Sequence, residues 1–232
     1  MSALWGTVVN VAAVLVGSAV GLLLRRAIPT RITAVLMTAV GLCTVYIGID
    51  GCLQGTQLLV TVLSLAIGAV IGELLGIDDA LARLGAAAER RLSRGGDTTI
   101  AKAFVNASLL FCVGTMTVVG SLQSGLSGNH ELLYIKSVLD LISSVVFAAT
   151  LGWGVLLSAA TVLIYQGALA LSAQALAPLL SEAVVGEMTC VGSLLIIALG
   201  LNLLKVTDIK VANYLPAVLL PIALCPLMAL IG

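Results

Sequence analysis

FCVGTMTVVGSLQSGLSGNHELLYIKSVLD, residues 111–140, is the stretch on which the fold turns. An apolar helical run enters it, breaks into Gly, Thr, Ser, Gln and Asn, and leaves through Lys136 and Asp140. Irregular polar main chain needs hydrogen-bond partners that lipid does not offer. At membrane depth it persists only when buried in protein or lining a wet cavity. The stretch therefore points to a polytopic membrane protein with a broken or re-entrant helix, and to a solute or ion site at the break.

Working outward, composition supports that setting. Of the 232 residues, 60% are hydrophobic and 9% charged, and the mean hydropathy is +1.20. A soluble domain carries about 25% charged residues. The 24 glycines suit close helix packing in lipid. The apolar runs are too long and too continuous for the alternating strands of a β-barrel, about 9–11 residues each. The fold class is thus all-α. A formal net charge of zero leaves no electrostatic case for nucleic acid.

Eight hydrophobic segments follow one another: Ala3–Leu24, Ile32–Ile49, Leu58–Leu75, Ala103–Val119, Leu132–Leu151, Gly154–Ala175, Met188–Leu204 and Ala212–Ile231. Most approach the ~20 residues that a bilayer core requires. The fifth and sixth abut at Gly152-Trp153-Gly154, where a short hairpin and a re-entrant loop both fit. The polar segment Asp78–Lys102 separates the third span from the fourth, and Ala80–Leu92 within it has apolar spacing that fits a helix along the membrane surface and equally a plain cytoplasmic linker. The organisation is one membrane domain: a first half over 1–77, a basic loop over 78–102, a central broken segment over 103–151, and a second half over 152–232.

Loops after spans one, three and seven hold ten of the eleven Lys and Arg residues, Lys136 being the exception. By the positive-inside rule both termini face outside and loop 78–102 is cytoplasmic. The first span has no basic residues before it and Arg25, Arg26 and Arg31 after it, the reverse of a signal peptide.

Met-Thr-x-Val-Gly occurs three times, at 37–41, 116–120 and 188–192. In the second and seventh spans it is expected to open the helix, in opposite directions across the membrane. Gly48-Ile49-Asp50 and Gly200-Leu201-Asn202 end those spans alike. This is the pattern of inverted repeats, relating spans one to three with six to eight. Gly17/Gly21 and Gly68/Gly72 are GxxxG pairs, which read as close helix contacts.

Thr38, Thr117 and Thr189, one per copy, offer hydroxyls. Exposed N–H groups at a helix start attract anions, and carbonyls freed at a break suit cations. The same threonines also fit simple back-bonding to their own helices. Met116, Gly120 and Gln123 belong to the central copy and its polar continuation, and Asn106 lies on the helix that feeds the break. Lys136 and Asp140 stand four apart on one face of the fifth span. Ionised groups there pair or face a cavity, so substrate or proton coupling and a structural ion pair are both open. Glu73 sits near the inner end of the third span. Asn10, Asn202 and Asn213 read as interhelical hydrogen-bonding amides.

His130 is the sole histidine, and the five cysteines form no CxxC. No metal site or cofactor is expected. HExxH, GxSxG and P-loop patterns are all missing from the sequence, so the chain reads as a non-enzyme.

The runs FCVGTMTVVGSLQSGLSGN, IKSVLD, LIYQGAL, EMTCVGSLLIIALGLNLL and VANYLPAVLLP together resemble the bacterial membrane family known as domain of unknown function 554, the YqgA/YdfK type, over essentially the whole chain. That resemblance implies a bacterial inner-membrane protein and carries no activity with it. It also implies Pro, Asp, Asp and Gly where this chain has Thr115, Ser124, Asn129 and Leu141, and it implies the Lys136 and Asp140 found here. The expected function is secondary transport of a small solute or ion. The alternatives are an oligomeric channel and a non-transporting scaffold whose partner binds loop 78–102. Expected partners are the lipid bilayer, a small solute or ion, and a second copy of the chain in a homo-oligomer.

Overall fold

A computed structural model describes residues 2–25, 29–80, 83, 99–113 and 115–231. Ten α-helices are described: α1 Trp5–Arg25, α2 Thr30–Cys52, α3 Leu58–Leu75, α4 Thr99–Cys112, α5 Thr115–Ser127, α6 Glu131–Leu151, α7 Trp153–Leu171, the short α8 Ala173–Leu176, α9 Glu182–Leu203 and α10 Pro221–Ile231. A short 3-10 turn, Ser2–Leu4, precedes α1, and a nine-residue 3-10 segment, Val211–Leu219, precedes α10. Among the described residues six helices are long and apolar enough to cross a membrane, and two bent helix pairs, each counted as one span, would raise the number to eight. The all-α polytopic class is therefore the fold. The surface helix or linker expected over Ala80–Leu92 lies almost wholly outside the described residues.

Ends follow local chemistry. Ser181 caps α9, its hydroxyl accepting from Val184 N. Gly76, at φ +60°, ends α3 in the left-handed conformation. Leu23, Val35, Leu58, Ile164 and Leu230 stay exposed on the outside of the bundle, as lipid-facing side chains do.

Glycine sets which helices touch. A β-carbon on Gly17 or Gly21 would strike the Leu141 and Val145 carbonyls of α6, and one on Gly6 would strike Leu133. Contact thus climbs both chains together, and α1 and α6 run parallel. α4 and α7 also run parallel: Gly154 packs on Ile100, and further along Ser108 Oγ donates to Thr161 Oγ1 at 3.1 Å. α2 and α9 are antiparallel, with Gly41 against Gly200 and Gly48 and Gly51 against Ser193. α3 is antiparallel to the 3-10 segment, with Gly68 on Ala217 and Gly72 on the backbone of Asn213. α6 and α7 are two full-length helices, so neither is re-entrant.

Arg25 and Lys102 lie at one end of the bundle. Arg25 lies against Gly152, whose φ of +87° leaves no place for a side chain. Lys102 Nζ reaches Asp208 Oδ1 at 3.5 Å in an exposed ion pair. The opposite end holds Ala3, Ser124 and His130, where Ser124 Oγ donates to Ala3 O at 2.6 Å and lies 2.9 Å from His130 Nδ1.

Two expectations need correction. Met-Thr-x-Val-Gly does not open α2 or α9. These helices start at Thr30 and Glu182, so the motif lies inside each of them and its N–H groups are spent on the helical ladder. The polar run from Thr115 is likewise a helix, α5, and between α4 and α5 the one described residue outside a helix is Val113.

Candidate functional site

α4 and α5 form one span bent by 59°. Val113 N still donates to Leu109 O at 2.8 Å, and beyond the bend Thr117 Oγ1 donates to Phe111 O at 3.2 Å. The threonine hydroxyl thus holds a carbonyl that the broken ladder releases. The second bent span, the 3-10 segment plus α10, turns by 46° beside Pro221, with Pro216 inside the 3-10 run. Proline removes a donor and clashes with the preceding turn, which accounts for the bend.

Both bends approach one cavity. It is lined by Cys112 and Val113 at the first break, Val118, Tyr165, Met188 and Thr189, and Val218 ahead of the second. Its volume is about 10 Å³, room for one water. Gly192 packs directly on Val113, which brings the third motif copy against the first break.

A buried charge pair within α6 is tied to α1 by Asn10. Lys136 Nζ lies 2.6 Å from Asp140 Oδ2, and Asn10 Nδ2 donates to the same oxygen at 3.0 Å. Lys136 and Asp140 are each only 6% exposed. Asn10 supplies the tertiary hydrogen bond that a lysine preceding an aspartate by four would otherwise lack.

The other sequence-selected residues scatter. Thr117 and Thr189 are buried, and Thr189 Oγ1 donates to Val185 O at 2.7 Å. Thr38 is exposed on α2 and donates back to Ala34 O at 3.2 Å. Met116 is exposed at the start of α5, away from the cavity lining. Gly120 is buried against Leu132 and Leu133, Gln123 is half-buried, and Asn106 is buried on α4. Glu73 accepts from Asn213 Nδ2 at 2.6 Å, a link between α3 and the 3-10 segment.

Glu187 was not visible as a site in the sequence. It is fully buried, one residue before the third motif copy. Its Oε1 accepts from Thr56 N at 2.5 Å and Gln57 N at 2.6 Å, and its Oε2 from Thr61 Oγ1 at 3.0 Å. The carboxylate thereby caps the N-terminus of α3, where the free N–H groups and the helix dipole favour negative charge. Among the described residues no group of His, Cys, Asp and Glu side chains is arranged to hold a metal.

Residues 5–226 match the family described as "Protein of unknown function (DUF554)". The chain is 28% identical over 222 residues to "Uncharacterized membrane protein YdfK" of Bacillus subtilis (strain 168), covering 94% of each chain. It is 30% identical over 223 residues to "Uncharacterized protein YqgA" of Escherichia coli (strain K12), covering 94% of this chain and 95% of that one. No solved structure matches. With six to eight apolar membrane-length helical segments and a match running almost end to end, the chain belongs to the DUF554 family of membrane proteins.

Proposed function

We propose that the protein is a secondary transporter of a small solute or ion, and not an enzyme, with its site at the broken helices near the bilayer midplane. The observation that carries this reading is the approach of two bent helix pairs to one small cavity. Bent and discontinuous helices place free backbone groups beside a substrate and let one bundle move against another. Thr189 lines the cavity, and Thr117 holds the Phe111 carbonyl beside the first bend. Lys136, Asp140 and Asn10 form the buried charge that a coupled cycle would use.

Inverted halves are part of the same reading. Exchange spans one, two and three with six, seven and eight, and four with five. The parallel pair α1–α6 then becomes the parallel pair α4–α7. The antiparallel pairs α2–α9 and α3–3-10 become themselves. The packing is thus compatible with a two-fold axis in the membrane plane. The basic end of the bundle supports a bacterial inner-membrane protein with that end cytoplasmic and both termini outside.

The test is a thermal-shift and uptake screen of purified protein against amino acids, organic acids, sugars, neutral amides and polyols, and alkali cations. Any ligand found is then measured on Asp140→Asn and Thr117→Val. Stabilisation by a ligand in the wild type, lost in at least one variant, is the expected result. A ligand response unchanged in both removes the site assignment. Absence of any uptake removes transport.

A further inference from the structure

Gln166, five residues before the end of α7, has no exposed surface, and neither its Nε2 nor its Oε1 has a hydrogen-bond partner among the described residues. Thr7 Oγ1, Ser121 Oγ and Asn10 Oδ1 are buried and unpartnered in the same way. Buried polar groups are almost always hydrogen-bonded, so such a set calls for an occupant.

Contacts along the helices set these four side chains at neighbouring depths, spread over about two helical turns. Ser124 of α5 is bonded to Ala3, at the head of α1. Thr7 lies one turn deeper along α1, and Ser121 lies one turn deeper along α5, since the two helices run in opposite directions. Gly167 of α7 has Leu4 as its nearest neighbour, which sets Gln166 at that depth too. Asn10 continues the α1 face by a further turn and is fixed by Asp140. Below them, Val14, Ala107, Phe111 and Val162 make a dry apolar floor.

The chemistry of the set is neutral. Its charges, Lys136 and Asp140, are 2.6 Å apart and cancel. A charged ligand would add a net charge to a low-dielectric interior with nothing to balance it, or would have to break that pair. What remains free is an amide donor, two amide acceptors and two hydroxyls that do either. We propose that Thr7, Asn10, Ser121 and Gln166 form a binding site for a small neutral solute that both donates and accepts hydrogen bonds, the shared chemistry of simple amides and polyols. This rests on the transport reading above and narrows its substrate class.

The experiment uses the full chain in proteoliposomes, with urea, acetamide and glycerol as neutral probes and ²²Na⁺ and ⁸⁶Rb⁺ as ionic ones. Stopped-flow light scattering follows reswelling. The expected result is reswelling at least about fivefold faster than in protein-free vesicles for one neutral probe, without cation uptake. Gln166→Leu should return it to background while its melting temperature holds or rises, because an unpartnered amide has been removed from a dry core. A role in packing alone would not combine lost flux with retained stability. The milder double variant Thr7→Val/Ser121→Ala is read in parallel and should lose flux too. Cation uptake without neutral flux overturns the substrate class and leaves transport standing. No flux of any probe overturns the neutral-solute site, while the transport reading stands or falls by the wider uptake screen. Wild-type neutral flux in the folded variants overturns the site.

Discussion

Lys136 and Asp140 are costly to bury apart and tolerable together. Removing one partner leaves a bare charge, which in protein interiors costs about 3–5 kcal/mol. Lys136→Met should therefore lower stability by about that amount in a detergent unfolding series, and Lys136→Met/Asp140→Asn should regain most of it. If the double variant is no better than the single, the pair does not act as an ion pair. Glu187 makes a second case. Glu187→Ala strips the acceptor from two backbone N–H groups and the Thr61 hydroxyl and should cost about 2–3 kcal/mol, with Glu187→Gln losing roughly half as much. Equal melting temperatures for all three proteins would refute the cap. Lys136 and Asp140 were legible from sequence because charge stands out in an apolar span. Glu187 was not, because it follows Ser181 and Glu182 at a helix start and reads as one more interfacial acid. Its partners are about 130 residues away, and no local pattern records that distance. Gln166 was visible as a polar residue inside a span, but its lack of a partner is a property of the packing alone.

Helix contacts in this fold are made by absent side chains. Gly72 touches the backbone of Asn213, which cannot rotate aside as a side chain would. Gly72→Ala should lose about 1–3 kcal/mol through overpacking. Gly167 has only Leu4 near it, at 3.8 Å, so Gly167→Ala should be neutral or gain up to ~1 kcal/mol from helix propensity. Thermal unfolding of both variants checks the contrast, and a larger loss at Gly167 would contradict it. The GxxxG pairs were readable as contact sites, because only the missing β-carbon lets backbones meet. Their partners were not readable, since nothing in Gly17-x-x-x-Gly21 specifies α6 over any other apolar face. The extent of the break was also misjudged. Thr, Ser and Gln suggested unwound chain from Gly114 onward, yet α5 stays helical because Thr117, Ser127 and their like can donate to carbonyls near them in the chain. The second bend follows from Pro216 and Pro221, plainly present in the sequence, but hydropathy alone read that stretch as one span.

At the scale of the molecule, the order of spans and the one-sided distribution of Lys and Arg make a topology that can be measured. In a variant with its five cysteines replaced, single cysteines at Leu53 or Asn129 should react with a membrane-impermeant maleimide in intact cells. Cysteines at Val206 or Arg83 should react only after permeabilisation, and the opposite pattern would invert the arrangement. The polytopic helical class was legible because length and hydropathy are additive along the chain. The pairing of crossings depends on shape and had to be seen. One pairing bears on how the chain is made. The glycine strip of α3 is covered by the 3-10 segment, and Glu73 of α3 meets Asn213 from 140 residues further on. During synthesis α3 therefore enters lipid with its groove bare and its acid unmatched, and stays so until the final crossing arrives. A nascent chain halted before residue 211 would carry that open groove, a mark by which membrane quality control could tell an unfinished copy from a finished one.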